Sequence, residues 1–220
     1  MRKTTLYGLG LSVALSLAAP VEAGQYDAVF GDVQRMLGQA AKNDEVGLTA
    51  TRQQLEVVPR PPHQNVKEAR ALNQQGLDAL KLNNYQAAAT VFQQAQQADP
   101  ADVEVAANLG YANLKLGQLK RAEHQLVYAI SLAPGRSSSW FNLGQVYGTL
   151  GDVEKATGAF ANAYRFSQNP PKTADFMRQA LTAPENNETT RAALKRALEL
   201  FGAPLAGSAT AQPSTGIILR

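Results

Sequence analysis

The side chains able to do covalent or acid–base chemistry are few in this chain and scattered. Its two histidines, His63 beside Pro59-Arg60-Pro61-Pro62 and His124, stand apart, and neither has the His-x-x-x-His spacing that would hold a metal. Ser137-Ser138-Ser139 offers hydroxyls, but no histidine is placed nearby in the chain to activate one. A serine capping the helix that follows is the reading the run favours. Glu104, Asp152 and Glu154 fall where helices are expected to start, and there the helix dipole favours a carboxylate. The chain has no cysteine, which removes disulfides, thiol chemistry and a lipoprotein anchor. These residues assemble no catalytic centre and bind no cofactor or metal, so the expectation is a protein that is not an enzyme.

Recognition is the alternative, and the spacing of small and large residues says what must present it. Gly76, Gly110 and Gly144 recur every 34 residues. Ala88, Ala122 and Ala156 keep the same interval, as do Phe92, Leu126 and Phe160, and Ala95, Ala129 and Ala163. A helical pattern with this period describes a stacked array of helix-turn-helix units. Glycine on the first helix and alanine on the second let two backbones approach closely, and large residues fill the space beside the crossing. Between the helices lie Leu82-Asn83-Asn84-Tyr85, Leu116-Gly117-Gln118-Leu119 and Leu150-Gly151-Asp152-Val153, where Asn or Gly suits a left-handed helix end. Asp99-Pro100, Ala133-Pro134 and Asn169-Pro170 are expected to end the second helices.

This pattern resembles the tetratricopeptide repeat (TPR) family. Trp140, Leu143, Gly144, Tyr147, Ala156, Phe160 and Ala163 match most fully; the second copy keeps Leu109, Gly110, Ala122, Leu126, Ala129 and Pro134, with Ala106 and Asn113 at the Trp and Tyr positions. The first copy holds Leu72, Gly76, Ala88, Phe92, Ala95 and Pro100, with Gln75 and Ala79 at apolar positions. The expected fold is all-α: a TPR-like solenoid of three repeats at about 69–102, 103–136 and 137–170, within residues 63–170. Residues 171–202 are read as a degenerate capping repeat, with Phe176, Ala180 and Ala192 at the Trp, Gly and Ala positions. In it Thr173 can cap a short helix, and a last helix runs from about Thr190 to Phe201.

Residues 1–23 read as a signal peptide. Arg2 and Lys3 precede the apolar stretch Leu6 to Ala19, and Val21 and Ala23 meet the small-residue rule for cleavage before Gly24. An uncleaved anchor is the other possibility, but the stretch is shorter than the roughly 20 residues that span a bilayer. After cleavage no stable membrane insertion is expected, and the location is the bacterial periplasm. Lys and Arg number 21 against 18 Asp and Glu, a formal net charge of +3 without a basic block, which argues against nucleic acid as partner.

Residues 24–62 form an amphipathic segment and a proline-rich linker. Tyr26, Val29, Phe30, Val33, Met36, Leu37 and Ala40 fall at helical spacing up to about Asn43, and a weaker helix follows from about Leu48 to Val57. The first helix either packs on the array or on its neighbour, docks a partner, or folds back into the protein's own groove. Residues 203–220 read as a disordered tail, although Gly216-Ile217-Ile218-Leu219-Arg220 could add as a strand to a partner's sheet.

The resemblance implies a concave face lined by the first helix of each repeat. It assigns Arg70, Asn73, Leu77 and Lys81 from repeat one, Glu104, Asn108, Tyr111 and Lys115 from repeat two, and Ser138, Phe141, Asn142 and Gln145 from repeat three. Asn108 and Asn142 hold equivalent positions, and their amides can both donate to and accept from a peptide backbone. Tyr111 and Phe141 would be apolar anchors. The full carboxylate clamp of chaperone-binding members is absent, because Ala107 and Ser138 stand where lysines are expected. The expected function is a non-catalytic periplasmic scaffold that holds an extended segment of another envelope protein in this groove, in assembly of a pilus, secretion or export system. The alternative is a structural subunit of an envelope complex that docks through its amino-terminal helix.

Overall fold

The computed structural model describes residues 23–205. Residues 1–22, most of the expected signal peptide, and residues 206–220, most of the expected tail, lie outside the described residues. Ten helices follow one another among those described: α1 Ala23–Ala41, α2 Glu45–Glu56, α3 Val66–Lys81, α4 Tyr85–Ala98, α5 Val103–Lys115, α6 Leu119–Leu132, α7 Ser137–Thr149, α8 Val153–Arg165, α9 Pro170–Thr182 and α10 Glu188–Leu200. None of these helices is long and apolar enough to cross a membrane.

The three repeats are the hairpins α3–α4, α5–α6 and α7–α8, stacked in chain order. Each crosses at its glycine. A Cβ on Gly76 would lie 2.7 Å from Phe92 Cδ1, on Gly110 2.7 Å from Leu126 Cγ, and on Gly144 2.6 Å from Phe160 Cε1. The large residue of the second helix therefore fills the space the glycine leaves, and all three are fully buried. The turns are closed by left-handed residues, Asn83, Gly117 and Gly151, with φ of 56°, 71° and 86°. Gln75 is exposed where the later repeats bury Leu109 and Leu143. Among the described residues no helix stacks before repeat one, so a polar residue there keeps that end of the array in water.

Helices α1 and α2 form a further hairpin with the same turn: Asn43 has φ 55°, and Asp44 accepts the N–H of Gly47 as the N-cap of α2. Yet this hairpin does not extend the stack. It lies across the second helices of repeats two and three, chiefly along α8. Val33, Met36, Leu37 and Ala40 are completely buried in one core with Trp140, Phe160 and Ala163. Of the readings open for the first helix, packing on the array is the one observed. It neither enters the concave face nor offers its apolar side to a partner, because that side is spent inside the molecule.

Three local expectations are corrected. No serine caps α7: Arg136 holds the N-cap position, Ser137 Oγ donates to the Ala163 carbonyl at 2.6 Å, and Ser139 is buried. Asn169-Pro170 does not end the third repeat, whose last helix stops at Arg165. Instead Asn169 caps α9 by accepting from Lys172 N–H, with proline in the first turn where no N–H is needed, and Thr173 is already inside that helix. The capping pair also departs from repeat packing, since α10 rather than α9 runs along α8 and reaches α7. At that contact a Cβ on Gly148 would lie 3.0 Å from Thr190 Cα. Helix α9 is left free to lean toward the concave side.

Candidate functional site

The concave face holds a cavity of about 610 Å³ walled by the end of α3, by α5, α7 and α9, and by the loop after α9. Eight of the twelve expected concave-face residues line it: Lys81, Asn108, Tyr111, Lys115, Ser138, Phe141, Asn142 and Gln145. Arg70, Asn73 and Glu104 line a neighbouring cleft instead, and Leu77 lines neither. Leu77 is buried in the core of repeat one with Leu80, Phe92 and Leu109, because the helical turn that begins at Asn73 faces α4 at that point.

Burial divides the lining residues by role. Phe141 is nearly inaccessible, with its ring 5.2 Å from Phe160 and 4.6 Å from Phe176, so it forms the floor rather than a free anchor. Tyr111 is half-buried and is the anchor that remains. Desolvation raises the pKa of its hydroxyl, and Tyr85 and Glu185 add to the rise, so it stays a neutral donor and acceptor at physiological pH. Lys115 Nζ stands 5.6 Å from the centre of the Tyr85 ring.

The asparagines of the face also separate. Asn108 Nδ2 donates to Asn73 Oδ1 at 3.0 Å, and Asn73 Nδ2 in turn donates to Glu104 at 3.4 Å. Asn73 is thereby engaged through both its oxygen and its nitrogen within the fold, and Asn108 keeps its carbonyl oxygen and one N–H for a ligand. Asn142 and Gln145, both half-buried, have side chains that make no hydrogen bond to any described residue. Two amides with full donor and acceptor capacity thus face the same cavity as Tyr111.

Sequence reasoning missed the fourth wall. Phe176, Gln179, Ala180, Ala183, Glu185 and Asn186 line the groove from α9 and its loop. Phe176 had been placed at a core position of a stacked repeat, and only the altered packing of α9 and α10 turns it to Phe141. Among the described residues, no three His, Asp or Glu side chains are grouped to hold a metal ion.

Comparison with known proteins agrees with this architecture. The tetratricopeptide repeat model matches residues 73–137 and 114–171. Among solved structures, the chain is similar to the Sgt2 TPR domain from Aspergillus fumigatus, at 19% identity over 72% of this chain and 96% of that one, with a TM-score of 0.49. It is similar also to the Arabidopsis OM64 TPR domain, at 18% identity over 62% and 98%, with a TM-score of 0.49. A third is PcrH in complex with the chaperone binding region of PopD, at 20% identity over 61% and 90%, with a TM-score of 0.45. With the family model spanning residues 73–171 and the same glycine crossing in all three hairpins, this span of the chain is a tetratricopeptide repeat array.

Proposed function

We propose that this protein is a non-catalytic scaffold of the bacterial periplasm that holds an extended segment of another envelope protein in its concave groove. Assembly of a pilus, secretion or export system is the setting this reading favours. One observation carries it: Asn142, Gln145 and Tyr111 converge on a cavity with unspent hydrogen-bonding capacity beside an aromatic floor. An extended peptide has a donor and an acceptor at every residue and needs such partners when it leaves water. The volume falls within the roughly 300–1,000 Å³ typical of ligand pockets. The periplasmic location rests on Arg2, Lys3, the apolar run Leu6 to Ala19, and the small residues Val21 and Ala23. Docking through the amino-terminal helix is the weaker reading, since α1 has its apolar side committed to the core.

A photo-crosslinking residue placed at Gln145 in intact cells tests the reading. Capture of one envelope protein from Gln145, and not from exposed Thr90 on the opposite face, is the expected result. Equal capture from both positions would sink it. Amino-terminal sequencing of the same material is expected to begin at Gly24.

A further inference from the structure

Beside the groove lies a second cleft, of about 800 Å³, that the repeats alone do not make. The linker between α2 and α3 forms one wall with Arg60, Pro62 and His63; Arg70 of α3 and Arg136 at the start of α7 complete it. We propose that this cleft is an anion-selective extension of the groove, which grips an acidic stretch of the bound protein segment. The proposal rests on the groove reading above and names the chemistry of the partner that groove would take.

Unpaired charge is the first argument. Arg35, Arg52, Arg165 and Arg178 each meet a carboxylate, whereas Arg60, Arg70 and Arg136 meet none among the described residues. Arg136 makes only a 3.2 Å hydrogen bond to Ser138 Oγ. The cleft's two carboxylates, Asp102 and Glu104, offset part of this charge and leave an excess of one cation. Asp102 accepts the N–H groups of Glu104 and Val105 as the cap of α5, and Glu104 accepts from Asn73. Three guanidiniums around one cleft suit a ligand that supplies carboxylates, since each can take one with two parallel N–H···O bonds.

Rigidity is the second. The linker is tied to the end of α4: His63 Nδ1 is 2.7 Å from Asp99 Oδ2, Gln64 N–H donates to Asp99 Oδ1 at 3.4 Å, and Asn65 N–H donates to the Ala98 carbonyl at 3.0 Å. Asp99 is fully buried, so this anchor is part of the fold. With Pro59, Pro61 and Pro62 limiting the backbone beside it, Arg60 is held at the rim at small entropic cost. Continuity is the third. Arg136 lines both cavities, so a chain running from the groove into the cleft would pass beside its guanidinium.

A random dodecapeptide library displayed on phage, selected against the full protein and then measured as synthetic peptides, tests this. Enriched peptides are expected to place two or more Asp or Glu next to apolar residues. Their Kd should rise about tenfold in the doubly substituted R60Q/R70Q protein and again in R136Q, and the difference should shrink at high salt. Melting temperature should not move, since Arg60 and Arg70 are exposed and their side chains have no partner among the described residues. Peptides without acidic residues, or with Kd unchanged in R60Q/R70Q, would overturn the extension. If such peptides still lose affinity in Y111A/N142A, the groove reading survives alone; if the library yields no binder, both readings fall.

Discussion

The backbone carbonyl of Leu37 lies where a side chain on Gly158 would begin, so α1 and α8 cross with nothing between their main chains. Any larger residue at 158 must lift the amino-terminal hairpin off the array. Gly158→Val is therefore expected to destabilise the protein by about 1–3 kcal/mol through overpacking. Limited proteolysis should then cut the linker between residues 57 and 64 faster than in the parent. An unchanged melt with unchanged cleavage would mean that the hairpin is not seated on α8.

The repeat cores can be tested where two kinds of error are distinguishable. Trp140 is fully buried, and its Nε1 donates to the Pro134 carbonyl at 2.7 Å. Trp140→Ala leaves a cavity and an unpaired carbonyl, at a cost of about 3–5 kcal/mol. Gly110→Leu drives a side chain into Leu126 and should cost about 1–3 kcal/mol. Urea denaturation should rank the two in that order.

The repeats were legible because each position has one partner at a fixed distance along the chain, so the pairs Gly76 with Phe92, Gly110 with Leu126 and Gly144 with Phe160 repeat in the sequence as they do in space. The seat of α1 was not legible from its own residues. Val33, Met36 and Leu37 declare an apolar face without naming what covers it. The signal lay elsewhere: Gly158 stands where the first two repeats have exposed Thr90 and His124. A glycine inside a helix costs about 1 kcal/mol relative to alanine, and here it marks a close approach of another backbone. Position in the array could place Tyr111, Asn142 and Gln145 in the groove. It could not place Phe176, Glu185 or Arg60, which arrive from segments outside the repeat period.

Acid should weaken the linker anchor. Burial pushes the Asp99 carboxyl up, but the bond from His63 and the N–H groups of Ala101 and Gln64 outweigh it and hold its pKa below the usual carboxylate range. A pKa lowered by folding contributes stability that is complete above the unfolded value of about 3.9 and disappears as pH falls through the folded value. Asp99→Asn is therefore expected to be less stable than the parent at pH 7, with the gap narrowing only below about pH 4. Denaturation curves across that range check it, and a gap that widens in acid would contradict it.

Recognition and scaffold are separable at Tyr111 and Asn142. Both are half-buried, neither lies at a glycine crossing, and Asn142 has no hydrogen bond to lose within the described residues. Tyr111→Ala combined with Asn142→Ala should weaken capture of a groove-bound segment by about 1–3 kcal/mol, the range for losing an aromatic anchor with a hydrogen bond. Helicity and melting temperature should stay close to the parent. Deleting residues 25–43 is the wrong comparison, because it removes Val33, Met36 and Leu37 from the core and would abolish binding by unfolding. The informative partner is Thr90→Ala at an exposed position of α4, where the bond at stake among the described residues is Thr90 Oγ1 to the Gln86 carbonyl at 3.0 Å. Capture that survives the double change as well as it survives Thr90→Ala would place recognition outside the groove.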